Sequence, residues 1–216
     1  MTAWKEAGLS RDRQAAAKRA AVLREAARAF RSKGYHRTSL DDVARLLNVT
    51  KPALYYYFRS KEDILFQCHM LSLDLGEQAM REARKRDGSG RDVLTWFLER
   101  YTELIASELG DIAMLSEVDA LTGNNRRKVL WRRRQFDHWF RKLIAEGVAD
   151  GSIRPIDPKV TVFFFMGAVQ TMTRWYDPEG PLTGASIGRA FTDLLIEGLR
   201  PRDRDAVSSR RLRRRA

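Results

Sequence analysis

"TSLDDVARLLNVTKPALYYYFRSKEDIL", Thr38 to Leu65, decides how this chain is read. Leu40, Val43, Ala44 and Leu47 recur at the three- and four-residue spacing of one helix face. Ser39 and Asp42 have the spacing of a capping box, in which a side chain at each end satisfies a backbone N–H of the first turn. Asn48 stands where the chain must turn sharply, and asparagine tolerates the left-handed conformation better than most residues. Thr50 is placed to cap a further helix, with Pro52 in its first turn. Leu54 and Phe58, four apart, anchor that helix to a core, which turns Tyr56 to the opposite side. Tyr55 and Tyr57 flank Tyr56, and Ala53 and Pro52 share the outer face. Two short helices joined by a tight turn form a helix-turn-helix.

Three consecutive phenols, Tyr55 to Tyr57, fit neither a small core nor a plain solvated face. A DNA major groove supplies what they lack: thymine methyls, base edges and phosphate oxygens. The competing reading is that Tyr55 or Tyr57 packs against a neighbouring helix with its hydroxyl in water.

The charge pattern agrees with a polyanion partner. The chain has 216 residues and a formal net charge of +12. Residues 1–61 hold 14 Lys/Arg against 5 Asp/Glu, residues 62–199 hold 18 against 21, and residues 200–216 hold 8 against 2. A basic head and tail on a near-neutral body read as a nucleic-acid-binding module on a scaffold with another purpose. The plainer alternative is a charge that serves solubility alone. A single cysteine, Cys68, rules out an intrachain disulfide. The longest apolar run, "VTVFFFMGAV", is about half of a membrane span, and the N-terminus lacks the apolar stretch of a signal peptide, so a cytoplasmic protein is expected.

Helical periodicity extends over the rest, with no period-2 strand pattern and no internal repeat. Helices are predicted over residues ~13–33, Leu40–Leu47, Thr50–Phe58, Lys61–Arg86, Val93–Glu108, Ile112–Leu121, Asn125–Asp150, Lys159–Tyr176 and Ala185–Leu199. The expected class is all-α, with about nine helices. A helix-turn-helix DNA-binding domain is expected over residues 1–61, a helical body over residues 62–200, and a basic tail over residues 201–216. The tail has too little apolar content to offset the entropy of ordering, so disorder is expected there.

At this point the residues are recognisable. "TSLDDVARLLNVTKPALYYYFRSKEDIL" resembles the DNA-binding signature of the TetR family of bacterial transcriptional regulators, with two departures. The turn residue, often Gly in the family, is Asn48, and the position before the Phe, often His, is Tyr57. The resemblance implies that Thr38, Ser39 and Thr50 touch phosphates through hydroxyls and helix N-terminal amides. It implies that Lys51, Ala53, Tyr55, Tyr56 and Tyr57 face the groove, and that Lys61 pairs with a phosphate. It also implies that residues 62–200 are a ligand-binding and dimerisation domain, and a homodimer on a palindromic operator, with half-sites about 34–36 Å apart. Lys159–Tyr176 is apolar nearly all round and needs partners on several sides, which fits a four-helix interface with a second copy.

"RWYDPEGPLT", Arg174 to Thr183, resembles the C-terminal domain of a TetR subgroup in which several members answer to acyl-CoA thioesters. The same residues also read as no more than a helix-helix turn. The expected effector is a small hydrophobic molecule, an acyl-CoA being the candidate. Its expected lining is Trp96, Tyr101, Met114, Arg132, Phe136, Trp139, Phe140, Phe165, Gln170 and Arg174, although any one aromatic residue is more readily explained as core. The cations of "NNRRKVLWRRR", Asn124 to Arg134, suit the phosphates of coenzyme A, or equally a solvated helix face. His36, His69 and His138 share no metal-ligand spacing, and no phosphate loop or nucleophile motif is present, so no enzyme, metal or cofactor is expected. The rival to a ligand-responsive regulator is a ligand-independent architectural DNA-binding protein, which the aromatic load of residues 93–199 disfavours.

Overall fold

A computed structural model describes residues 11–107, 117–177 and 180–200. Among them are eight α-helices and no strand: α1 (Arg11–Lys33), α2 (Leu40–Leu46), α3 (Lys51–Tyr57), α4 (Lys61–Ala83), α5 (Gly90–Ala106), α6 (Gly123–Ala149), α7 (Pro158–Trp175) and α8 (Gly184–Leu199). Of the predicted helix Ile112–Leu121, only the end is described, and Val118–Ala120 is a single 3₁₀ turn. The expectation for the tail at 201–216 lies outside the described residues.

Local chemistry sets most boundaries. Gly34, at φ +83°, ends α1, and Asn48, at φ +52°, makes the turn between α2 and α3 as its position predicted. α5 starts three residues before the predicted Val93. Ser89 and Asp92 form a capping box that draws Gly90–Asp92 into the first turn. α4 stops at Ala83 rather than Arg86, because the chain tightens into a turn there, with the Arg86 N–H donating to the Ala83 carbonyl at 3.0 Å.

Two apolar clusters result. The first joins α1, α2, α3 and the first half of α4 around Phe30, Leu54, Phe58, Ile64 and Leu65, and takes in Leu121 and Val129 from far along the chain. The second joins α4 to α8 around Phe97, Phe140 and Phe165. Glycines allow its closest crossings. A Cβ at Gly90 would stand 2.4 Å from the Gly147 Cα, so α5 meets α6 backbone to backbone. Gly184 and Gly188 likewise seat α8 against Ala106 and Thr102 of α5.

Candidate nucleic-acid interface and effector region

The expected recognition face is assembled from α2, the Asn48 turn and α3. Ser39 accepts from the Asp42 N–H at 3.1 Å, while the Asp42 carboxylate accepts from the Ser39 N–H at 2.9 Å and from its hydroxyl at 2.7 Å. Those bonds, the backbone one foremost, hold the half-buried Asp42 carboxyl below its usual range, with Lys33 and Arg45 adding to the effect. Val49 donates to the Ala44 carbonyl at 3.0 Å and Asn48 to Arg45 at 3.1 Å, which closes the turn and fixes the angle between the two helices.

α3 sits on the head core through Leu54 and Phe58, each 1% exposed. Helical geometry then presents the other face to solvent. Tyr56 is 82% exposed and Tyr55 50%, while Tyr57 is half-buried and packs edge-on against Tyr56 with centroids 5.0 Å apart. Ala53 and Thr50 are exposed as well. Thr50 holds the N-cap position but makes no side-chain cap, so its hydroxyl is not used by the helix as predicted. Lys51 is exposed and bonded to Asp41 of α2 at 2.9 Å, a contact that raises its pKa.

Two residues expected at phosphates are turned inward. Thr38 is 1% exposed, and its hydroxyl faces the Ala29 and Gly34 carbonyls at 3.2 and 3.0 Å. The Lys61 ammonium donates to the Tyr35 and Thr38 carbonyls, both at 2.9 Å, and lies 4.2 Å from the Tyr35 ring centroid. Burial lowers its pKa. Lys61 is therefore a clamp between α4 and the α1–α2 loop. The reason is tertiary: α4 begins beside that loop, so the ammonium reaches two backbone carbonyls before it reaches solvent.

In the body, five of the expected lining residues meet. Tyr101, Phe136, Trp139 and Phe140 surround Phe97 at ring-centroid distances of 5.8, 6.1, 4.8 and 4.9 Å, and Phe165 lies 5.9 Å from Phe140. They pack largely on one another, with edge-to-face geometry dominant. Gly76 admits this arrangement, since a Cβ there would stand 2.8 Å from the Phe136 ring. Trp96 lies partly buried at the edge of the cluster beneath the Arg86 guanidinium, 4.5 Å from its centroid, and lines an open cleft with Glu99, Arg100 and Arg189. Gln170 is exposed on α7. Met114, and the side chain of Arg174, fall outside the described residues.

Arg132 is the clearest correction. It is 7% exposed and bonds to Glu77 at 2.7 Å and Asp74 at 2.8 Å, so its charge is already matched inside the protein. The sequence held a signal for this. Val129, Phe136, Phe140, Leu143 and Gly147 mark the buried stripe of α6, and Arg132 falls on it. His69 carries the same signal: it stands four residues from both Leu65 and Leu73 on the buried face of α4.

The comparisons agree with this geometry. Residues 22–68 match the family profile described as bacterial regulatory proteins, tetR family, and residues 87–199 the profile described as tetracyclin repressor-like, C-terminal domain. The transcriptional repressor KstR2 of Mycolicibacterium smegmatis is 24% identical over 211 residues, covering 86% of this chain and 92% of its own. The crystal structure of the TetR family regulator PfmR from Thermus thermophilus has a TM-score of 0.71 at 31% identity, covering 83% of this chain and 99% of its own. The structure of AibR in complex with isovaleryl coenzyme A and operator DNA has a TM-score of 0.70 at 26% identity, covering 83% and 98%. Both the DNA-binding and the C-terminal halves of the chain thus match the same group, and the chain belongs to the TetR family of bacterial transcriptional regulators.

Proposed function

We propose that the protein is a cytoplasmic repressor that binds a palindromic operator as a homodimer through residues 1–61 and is released by a small effector, an acyl-CoA thioester being the leading class, bound in residues 62–200. The observation that carries the DNA-binding part is Tyr56, exposed at the centre of a helix whose opposite face is locked by Leu54 and Phe58. Lys51, Ala53, Tyr55, Tyr56 and Tyr57 then meet the groove, and Ser39 and Thr50 its phosphates. With few bidentate side chains on that face, thymine methyls and DNA shape carry much of the base preference.

Dimerisation draws its support from α7 and α8. Val160, Phe163 and Phe164 of α7 and Leu194 of α8 are each at least 59% exposed, more apolar surface than a solvated helix pair carries. The acyl-CoA reading rests on AibR and on the ring cluster. With Arg132 internally paired, the coenzyme phosphates fall to exposed cations of α6 such as Arg127 and Arg134.

The test selects an operator from random duplexes and compares wild type with Tyr56→Ala. The substitution is expected to weaken operator binding by about 1–3 kcal/mol and to blur one or two base positions, with stability unchanged within about 0.5 kcal/mol. Unchanged operator affinity would sink the proposed face. Calorimetric titration with matched acid and thioester pairs then addresses the effector, and equal affinity within every pair would remove the coenzyme from the reading.

A further inference from the structure

The outward face of α6 carries side chains that neither the head core nor the ring cluster uses. Trp131 stands in the middle of it, 60% exposed. On a helix, residues three and four positions apart are neighbours, with Cβ atoms about 5–6 Å apart. Around Trp131 these are Arg127, Lys128, Arg134 and Gln135, all exposed. Four other cations of the helix find acids: Arg126 meets Asp119 at 3.0 Å, Arg132 Asp74 at 2.8 Å, Arg141 Asp137 at 2.7 Å and Lys142 Glu146 at 3.7 Å. Among the described residues no carboxylate lies within ion-pair distance of Arg127, Lys128 or Arg134. Lys128 lies 5.9 Å from the Phe66 ring centroid instead. Three like charges on one face repel one another and draw an anion.

The residue types narrow the anion. Guanidinium groups match phosphate through a planar fork, and a lysine adds a point charge. An acidic peptide or a bare phosphate would satisfy those cations and leave the indole without a partner. An open indole face stacks flat rings, and every nucleobase offers one. A side-chain amide such as that of Gln135 pairs with N6 and N7 of adenine. One ring, one amide and three cations thus complement an adenine nucleotide with more than one phosphate group. The nucleotide end of coenzyme A is such a group, an adenosine with a 3′-phosphate and a 5′-diphosphate. The pantetheine arm separates that end from the acyl chain, so the nucleotide can be held on the surface of α6 while the acyl chain is held elsewhere.

We propose that Trp131, Gln135, Arg127, Lys128 and Arg134 form a platform for the adenine nucleotide end of a coenzyme A thioester. The base stacks on Trp131, the Gln135 amide meets its edge, and the three cations take the phosphates. The inference rests on the reading that the body binds an acyl-CoA effector, and it adds where the nucleotide is recognised and by which side chain. The platform stands on a helix that is tied to the head. Val129, two residues before Trp131, belongs to the head cluster, and the Glu62 carboxylate at the start of α4 accepts from the Thr122 N–H at 2.9 Å beside the start of α6.

The test titrates the full-length protein by calorimetry, at constant ionic strength, with adenosine 3′,5′-bisphosphate, free coenzyme A, dephospho-coenzyme A and isovaleryl-coenzyme A. The bisphosphate is expected to bind saturably in the micromolar to millimolar range. Trp131→Leu, apolar but without a π-face, should weaken all four ligands about tenfold, whereas Trp131→Phe should retain most of the affinity. Coenzyme A should bind about tenfold tighter than its dephospho form, and the triple change Arg127→Gln, Lys128→Gln and Arg134→Gln should erase that difference. All four positions are exposed, and circular dichroism checks that each variant keeps its fold. If the triple variant does not fold, the two Trp131 variants decide. No saturable binding of the bisphosphate or of free coenzyme A overturns the platform. Isovaleryl-coenzyme A bound equally by wild type and Trp131→Leu overturns it too and leaves the effector reading standing. Bisphosphate binding that depends on Trp131, with no release of operator DNA by the thioester, supports the platform and counts against the effector reading. Operator binding weakened by Trp131→Leu while nucleotide binding is unchanged overturns the proposal and gives this face to DNA.

Discussion

Replacing Lys61 by Met separates a structural lysine from a phosphate-binding one. Methionine keeps most of the apolar stem and removes the ammonium, together with its bonds to the Tyr35 and Thr38 carbonyls at 2.9 Å. A hydrogen bond from a charged donor contributes about 1.5–3 kcal/mol when well shielded. This ammonium is partly exposed, and water can take over at the carbonyls, so about 2 kcal/mol for the pair is the reasoned loss. For a chain of this size each kcal/mol lowers Tm by about 2–4 °C, which gives a fall of about 4–8 °C. Thermal unfolding followed by circular dichroism, at fixed protein concentration so that association does not intrude, reads this directly. The second readout is the salt dependence of operator affinity. A clamp leaves the slope of log K against log[salt] near its wild-type value, whereas loss of one phosphate contact reduces it by about 0.9. An unchanged Tm with a shallower salt slope would refute the clamp and restore Lys61 to the DNA.

Three further outcomes follow from the packing and the charges. His69 has a folded pKa of about 4 against an ordinary 6.5, so between those values the unfolded chain takes up a proton that the folded one refuses; stability should fall by about 3 kcal/mol in total as pH drops from 6.5 to 4, and urea titrations of His69→Asn across that window should lose this component. The double change Asp74→Asn and Glu77→Gln strands Arg132 in a buried site and should cost about 3–5 kcal/mol by chemical denaturation, more than Arg132→Met, because Asp74 is 59% exposed and returns to water when its partner is removed. Gly90→Ala places a methyl 2.4 Å from the Gly147 backbone, where no flexible side chain can yield, and should destabilise by about 1–3 kcal/mol in the same assay.

The sequence by itself determined the helical class, the helix-turn-helix and the family. Those features depend on short-range rules: the apolar spacing of Leu40, Val43, Ala44 and Leu47, the Ser39–Asp42 box, the left-handed tolerance of Asn48, and the four-residue step from Leu54 to Phe58 that turns Tyr56 outward. Each is settled within a helix turn or two, so the linear order carries the information. The extra residues at the start of α5 escape apolar periodicity, because the Ser89–Asp92 cap precedes the first apolar residue, Val93. What only the tertiary structure decided is where the polar groups of one helix meet another. Lys61 and Thr38 face inward because α4 starts against the α1–α2 loop. Arg132 finds Asp74 and Glu77, and Arg133 finds His69, across the α4–α6 seam, from partners 55 to 64 positions away. A run of arginines looks uniform in sequence. A helix laid on a core divides it by rotation, burying one beside two acids and leaving its neighbour to face an imidazole.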